Sequence, residues 1–336
     1  MFDLKKYLAW PSILILLIIT EFGIFGTLNS RFLNMSNLLY SIGDFLYIAI
    51  AALPMTLIIV SAGIDISIGA IMGLGSILTG LIWVKTGNIA LAVLAGLAGG
   101  AVSGAINGSL ILITQVNPLV ITLGSSFLFS GLALTLSGLA GSTGFEGIGG
   151  FPDSFVNIAN GEVFGLPNPV IILVGLIILF YLTLHHTKFG RCLYLIGMSS
   201  EGARYSGLPT VKIVITNYII SGVVAAFAGI MLASYFTSSR SDLGADAPLT
   251  VITCAVLGGA SIYGGTGSII GTALASLLIG YLKYGLQMIR ITSHQTNVFL
   301  GIVLIASISG RYFWEQFSSR RKNKMALKRS KNRHGD

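Results

Sequence analysis

Long apolar segments follow one another along almost the whole 336-residue chain. A helix needs about 20 apolar residues to cross the hydrocarbon core of a bilayer, and ten segments meet or nearly meet that length. They are roughly 8–28, 45–62, 67–84, 89–114, 118–138, 169–186, 212–235, 248–262, 266–288 and 295–313. We therefore predict an all-α, polytopic integral membrane protein with about ten transmembrane helices.

The composition favours one membrane domain over a soluble protein. Apolar residues make up 54% of the chain and charged residues only 10%, and the mean hydropathy is +0.85. A soluble surface normally needs about a quarter charged residues. We predict a transmembrane domain over residues 1–315 and a basic cytoplasmic tail over 316–336. The same balance argues against nucleic-acid binding as the reason for the net charge of +8.

The distribution of Lys and Arg predicts the orientation in the membrane. Short cytoplasmic loops retain cations because moving them across the bilayer is costly. Fifteen of the 20 basic residues fall before the first segment, in the loop 187–212, or between Arg311 and Arg333. The segment 139–168 has no Lys or Arg and three acidic residues. We expect both termini and the 187–212 loop to be cytoplasmic, and 139–168 to face outward.

No residue pattern predicts catalysis, a cofactor or a metal site. The two cysteines and four histidines lack metal-ligand spacing, and no nucleophile, histidine and carboxylate stand in a recognisable order. No Gly-Lys dipeptide occurs, so the phosphate-binding loop GxxxxGK[ST] is absent. The chain is therefore predicted not to be an enzyme, and any ATP hydrolysis is expected from a separate subunit.

Two similar glycine-containing stretches interrupt the apolar pattern. Residues 60–69 (VSAGIDISIG) and 256–265 (VLGGASIYGG) share Val, Gly, Ile and Gly at equivalent positions. Each is a candidate point of helix unwinding beside a cavity, as transporters tolerate; chance similarity in a glycine-rich chain is the alternative. Asp65 lies in the first stretch, where its carboxylate could accept hydrogen bonds from freed backbone amides or contact a substrate.

Two other charged residues also lie within the apolar segments. Glu21 could pair with a neighbouring helix, and Lys283 could extend toward the membrane surface.

Glycines three or four residues apart predict a face on which helix backbones pack closely. They are Gly96, Gly99, Gly100, Gly104 and Gly108.

The basic loop 187–212 contains a predicted short helix. Ser199 or Ser200 can cap a helix that begins with Glu201, and Gly207 followed by Pro209 can end it. A short capped helix on the cytoplasmic side is suited to docking another protein, and the alternative is a simple connection.

Several of these stretches resemble the permeases of ribose-type ABC importers. The similar stretches lie within about residues 10–313 and include 56–69, 117–124, 187–209 and 257–265. The segments 144–152 and 234–244 further resemble the D-type branch of the family, which imports autoinducer-2.

The resemblance implies a function and a set of partners. It implies import of the quorum-sensing signal autoinducer-2, a small polar ligand, across the bacterial inner membrane. It also implies a heterodimer with a second homologous permease, an ATP-binding subunit and a periplasmic substrate-binding protein. A pentose permease of the same family is one alternative. An ion-coupled secondary transporter, which needs no second gene product, is a more distant one.

The resemblance also implies roles for individual residues. The residues that would couple movement to the ATPase are Glu201, Gly202, Ala203, Ser206 and Gly207. Family members commonly have alanine where this chain has Gly202, and glycine costs about 1 kcal/mol of helix stability relative to alanine. An uncharged, hydroxylated ligand would need a polar path. The candidates for that path are Ser61, Asp65, Ser67, Asn117, Thr122 and Tyr235.

Overall fold

The computed structural model describes residues 4–142, 146–292, 295–296, 298–299, 301–303 and 305. The chain separates into two compact units, Met1–Arg290 and Ile291–Asp336. In the second unit, the described residues from 295 onward are helical. The predicted basic tail, 316–336, lies outside the described residues, and so do Gly144 and Phe145 of the stretch 144–152.

The described part of the first unit is built from helices and one small hairpin. The helices are α1 (Leu4–Leu28), α2 (Met35–Tyr40), α3 (Ile42–Val60), α4 (Ile68–Thr86), α5 (Ile89–Thr114), α6 (Pro118–Leu139), α7 (Asp153–Asn160), α8 (Asn168–His186), α9 (Lys188–Met198), α10 (Ser200–Tyr205), α11 (Thr210–Tyr235), α12 (Ala247–Leu257) and α13 (Ile269–Met288). A 3₁₀ turn, Ser30–Leu33, precedes α2. The antiparallel strands β1 (Glu162–Val163) and β2 (Leu166–Pro167) pair Glu162 with Pro167.

Eight helical segments in the described residues are long and apolar enough to cross a membrane. They are Trp10–Leu28, Met35–Val60, Ile68–Thr86, Ile89–Thr114, Pro118–Leu139, Asn168–His186, Thr210–Tyr235 and Ile269–Met288. These correspond to eight of the ten predicted spans, and the predicted all-α membrane architecture is confirmed.

The remaining two predicted spans differ. The segment 248–262 forms only the 11-residue helix α12, which is too short to cross the bilayer because a helix rises about 1.5 Å per residue. The chain leaves the helical conformation after Leu257 at the glycine-containing stretch, so the expectation of a full span there was wrong. The tenth predicted span, 295–313, lies mostly outside the described residues.

Helix α3 forms the centre of the first unit. Its sequence is apolar on all sides, which is typical of a buried helix, and nearly every residue from Ile42 to Val60 is buried. Helices α8, α11, α12 and α13 pack around it. The polar segments at its two ends are therefore held by several neighbouring helices.

The predicted glycine face of α5 packs closely on α11. A Cβ atom added at Gly104 would overlap the Tyr218 carbonyl oxygen, and one at Gly100 would overlap that of Gly222. The two backbones therefore touch without an intervening side chain, which is the arrangement expected for small residues in membrane helices. This contact brings polar side chains of α5 and α11 together beside the end of α3.

The segment 146–167 packs beside the loop 236–246. The main chains of Ile148 and Ser239 pair by two hydrogen bonds of 2.9 Å, and Trp83 Nε1 donates to Gly150 O at 3.0 Å. In the same loop, the Asp242 carboxylate forms an ion pair with Arg240 and raises the pKa of its guanidinium by hydrogen bonding. The two segments therefore form one layer, whose predicted outward orientation stays a prediction.

Candidate functional site

The first of the two glycine-containing stretches forms a seven-residue interruption between α3 and α4. After Val60 the chain adopts a left-handed conformation at Ala62, with φ of 61°, and α4 begins at Ile68. Asp65 is fully buried in this segment. Its Oδ1 accepts hydrogen bonds from Ser67 N at 3.0 Å and Ser67 Oγ at 2.6 Å. The predicted bond from a freed amide to this carboxylate is therefore present, one residue before α4.

Two neighbouring helices extend this hydrogen-bond network. Ser221 Oγ of α11 donates to Asp65 Oδ2 at 3.1 Å, and Asn107 Nδ2 of α5 donates to Ser67 Oγ at 2.7 Å. All four side chains are buried. A buried polar group is costly unless it is hydrogen-bonded, so these contacts stabilise a break in the helix that would otherwise expose polar atoms to an apolar interior.

Thr122 of α6 supports the other side of the same segment. Its Oγ1 accepts a hydrogen bond from Ile66 N at 3.1 Å and lies 3.2 Å from Ile64 O. At the start of the segment, Asn217 Nδ2 donates to Ser61 Oγ and to Leu57 O, both at 3.1 Å. Helices α5, α6 and α11 therefore each contribute at least one polar side chain that holds the interruption. We name Asp65, Ser67, Asn107, Thr122, Asn217 and Ser221 the Asp65 network.

The other two path candidates lie elsewhere. Asn117 is exposed and caps α6, since its Oδ1 accepts a hydrogen bond from Leu119 N at 2.9 Å. Tyr235 is at the far end of α11, about 21 Å from Ser221 by the helical rise, and its hydroxyl donates to Asp44. The six candidates thus do not form one cluster, and a contact with a ligand stays a prediction for each of them.

Sequence reasoning missed three members of the Asp65 network. Asn107, Asn217 and Ser221 come from long apolar segments, where an asparagine is unusual and signals a buried polar partner. Hydroxyl groups are weaker signals because they often bond only their own helix. No pattern along the chain showed that these side chains would meet Asp65 and Ser67.

Helix α10 begins at Ser200, one residue before the predicted start at Glu201, and ends before Gly207 as predicted. Ser199 Oγ accepts a hydrogen bond from Gly202 N at 3.0 Å, which caps the helix. At the other end Gly207 is in the left-handed conformation with φ of 78°, and Leu208 N donates to Ala203 O at 3.2 Å. This pattern of bonds ends a helix sharply. A short helix with both ends capped therefore lies within the segment 187–209.

The two faces of α10 differ in exposure. Ala203 is buried in an apolar cluster with Leu53 and Leu57 of α3, whereas Tyr205 is 89% exposed. The remaining predicted coupling residues are exposed: Glu201, Gly202, Ser206 and Gly207. One face of the helix is thus attached to the membrane domain, and the other is free to contact a partner.

Alanine at position 202 would be crowded by the helix cap. A Cβ atom there would lie 3.0 Å from Ser199 Oγ, which is the atom that accepts the Gly202 N–H. The gain in helix propensity from alanine, about 1 kcal/mol, is therefore opposed by a close contact with the cap. Glycine at this position is compatible with a tightly capped α10.

The intramembrane charges Glu21 and Lys283 are placed on α1 and α13. Glu21 is buried, at 7% exposed, and among the described residues its carboxylate oxygens have no hydrogen-bond partner. The predicted pairing of Glu21 with a neighbouring helix is thus not seen in that part of the chain. Lys283 is half-buried.

Comparisons with known proteins identify similar chains. Residues 37–308 match the family described as "Branched-chain amino acid transport system / permease component". The chain is 48% identical over 307 residues to the Autoinducer 2 import system permease protein LsrD of Yersinia enterocolitica, which covers 91% of this chain and 92% of that protein. It is 49% identical over 309 residues to the protein of the same name from Yersinia pseudotuberculosis, with 92% and 93% covered. No solved structure matches the chain.

Proposed function

This chain belongs to the family of branched-chain amino acid transport permease components, and on that premise we propose that it is the membrane-spanning permease of an ATP-driven importer of autoinducer-2. The observation that carries the proposal is the similarity to proteins named as autoinducer-2 import permeases, which extends over 91% of this chain. The family match over residues 37–308 includes both interruptions and the short helix α10. The chain would thereby take part in quorum sensing.

The partners in this proposal follow from what one permease chain lacks. No GxxxxGK[ST] motif occurs in the sequence, so a separate ATP-binding subunit would supply ATP hydrolysis. A periplasmic substrate-binding protein would deliver the ligand. A second, homologous permease would complete the pore as a heterodimer, and the exposed apolar faces of α5 and α6 offer surfaces for such a subunit or for lipid.

Helix α10 is the proposed contact with the ATP-binding subunit. Its exposed face contains Glu201 and Tyr205, while Ala203 attaches it to the end of α3. A helix held in this way can transmit movement, because one face packs on the membrane domain and the other is available to a partner. Gly202, Ser206 and Gly207 would act by defining the boundaries of the helix.

The hydrogen bonds in the Asp65 network favour a structural role for three of the six path candidates. Asp65, Ser67 and Thr122 are fully buried and bonded within the chain. We propose that these three residues fix the conformation of the interruption beside the path. Ser61 and Tyr235 are partly exposed and Asn117 is exposed, and these three remain the candidates for contact with a small hydroxylated ligand.

The proposed orientation places both termini in the cytoplasm of a bacterial inner-membrane protein. The loop 187–209, with Lys188, Arg191 and Arg204, would lie on the same side, as expected for basic loops. The layer formed by 146–167 and 236–246 would then face the periplasm and the substrate-binding protein.

Uptake in cells tests the function directly. Labelled autoinducer-2 and labelled ribose are supplied to cells that lack this chain but retain the other components of the import system, with and without the chain restored from a plasmid. We expect autoinducer-2 uptake to be lost and then restored, while ribose uptake stays unchanged. Loss of ribose uptake alone would overturn the substrate but keep the family. Unchanged uptake of both would refute the proposed function.

A further inference from the structure

The two interruptions of the membrane helices meet in space. The first is the segment 61–67 after α3, and the second is the segment 258–268 between α12 and α13. Gly265 N, in the second, donates a hydrogen bond of 2.9 Å to Val60 O at the end of α3. Nearby, the hydroxyl oxygens of Thr56 and Thr272 lie 2.7 Å apart. The second interruption is therefore bonded to the last residue of α3, and α3 is joined to the first turn of α13 by side chains. The second interruption also touches the first, because a Cβ atom added at Gly264 would lie 2.8 Å from Ala62 Cβ.

The end of helix α9 lies against this contact. A Cβ atom added at Gly197 would overlap Val60 O and would lie 2.5 Å from Gly265 N. Gly264, with φ of 82°, has its own Cβ position 2.7 Å from Gly197 O. Three backbone segments thus touch at one point with no room for a side chain. We name Val60, Gly197, Gly264 and Gly265 the backbone junction.

Side-chain contacts attach α9 to the same two segments. Tyr194 Oη donates a hydrogen bond of 2.9 Å to Gly267 O, in the second interruption. Leu193 and Ile196 pack in the apolar cluster that also contains Val60 and Ala203 of α10. Only Ser199 separates α9 from α10, so the two short helices are attached to each other and, through the cluster, to α3.

We propose that the backbone junction transmits the movement of α10 to both interruptions at once, with Tyr194 and Gly197 as positioning residues. The proposal rests on the proposed function, since it requires a partner that moves α10. Close-packed contacts transmit displacement because they have little free volume to absorb it. The interruptions are the segments that can respond, because their backbone groups are not committed to regular helical hydrogen bonds.

A tyrosine substitution tests the role of the bond to Gly267. Tyr194→Phe removes this hydrogen bond and keeps the ring. The matched control is Tyr281→Phe, which removes the 3.1 Å bond from a buried tyrosine to the Leu38 carbonyl, away from the backbone junction. Both variants are assembled with the partner subunits in proteoliposomes, and autoinducer-2 import, ATP hydrolysis and the melting temperature are measured.

We expect Tyr194→Phe to lower the amount of ligand imported per ATP hydrolysed by about threefold to tenfold, the equilibrium effect of one lost hydrogen bond. The control should keep the wild-type ratio. A wild-type ratio in Tyr194→Phe, or an equal fall of the ratio in both variants, would overturn the role of Tyr194. The ratio is insensitive to the amount of folded protein, so a purely structural defect would not change it.

A distance measurement tests the backbone junction without any ligand. Spin labels are attached at Lys188 of α9 and at Tyr263 of the second interruption, both exposed, after replacement of Cys192 and Cys254 by serine. A second pair joins Lys188 to Phe164, in the hairpin, which is fully exposed. The assembled complex is measured with and without ATP.

We expect the 188–263 distance to stay constant while the 188–164 distance changes on ATP binding. A change in the 188–263 distance, or no change in either pair, would overturn the proposal. If wild-type proteoliposomes import no autoinducer-2, the proposed substrate fails, but the distances still test the backbone junction. If no complex with an ATP-binding subunit forms, the proposed function itself fails.

Discussion

Replacement of Asp65 tests whether the Asp65 network stabilises the first interruption. Three donors point at its carboxylate: Ser67 N, Ser67 Oγ and Ser221 Oγ. Asp65→Ala removes the acceptor of all three. Asp65→Asn keeps an oxygen that can accept both bonds from Ser67, and it changes mainly the contact with Ser221.

The expected loss of stability is the sum of the costs for the three donors that lose their acceptor. A buried amide left without an acceptor costs about 1–3 kcal/mol, and each lost hydroxyl bond costs about 0.5–1.5 kcal/mol. We therefore expect Asp65→Ala to lower the stability by about 2–6 kcal/mol and Asp65→Asn by about 1 kcal/mol. At about 2–4 °C per kcal/mol, the alanine variant should melt roughly 4–24 °C below the wild type.

The assay combines thermal unfolding of the purified protein in detergent with autoinducer-2 uptake in cells. Asp153→Ala serves as the control for the melting temperature, because Asp153 is an exposed carboxylate at the start of α7 and has no part in the Asp65 network. A melting temperature for Asp65→Ala within about 2 °C of the wild type would refute the structural reasoning. An Asp65→Asn variant that keeps its melting temperature but loses uptake would instead assign Asp65 to the ligand path.

Two further substitutions test the helix contacts. Gly104→Ala places a methyl group against the Tyr218 carbonyl and should lower the stability by about 1–3 kcal/mol, measured as a lower melting temperature. The control is Gly131→Ala, which has open space at its Cβ and should not destabilise the protein. An equal loss of stability in both variants would contradict the packing argument. Ser199→Ala removes the side-chain cap of α10, which stabilises the helix by about 1 kcal/mol. This variant should bind the ATP-binding subunit more weakly in a pull-down, at unchanged expression. The control is Ser200→Ala, and equal binding by both variants would contradict a role for the cap.

Short sequence patterns correctly predicted the features that are decided by residues close together in the chain. The α10 helix begins and ends where its serine cap and Gly207 indicated, because capping is decided within a few residues. The two interruptions occur in the predicted glycine-containing stretches. For the same reason the bond from Ser67 N to Asp65 could be foreseen, since only two residues separate the partners.

Contacts between distant segments could not be predicted in the same way. Asn217 of α11 bonds Ser61, and Asn107 of α5 bonds Ser67, but nothing along the chain indicates how these helices are rotated. The length of α12 was also misjudged, because an apolar composition continues beyond Leu257 after the helix has ended. Hydropathy reports where a segment can be buried, and it does not report whether its backbone stays helical.

The order of residues alone is sufficient for the membrane class, eight of the spans and the position of the short helix α10, since bilayer thickness and helix capping act on short stretches of chain. It was not sufficient for the assembly of the Asp65 network or for the meeting of Val60, Gly197 and Gly265. Those contacts join segments far apart in the chain. They depend on which helix faces touch, and close packing of small residues among many helices decides that.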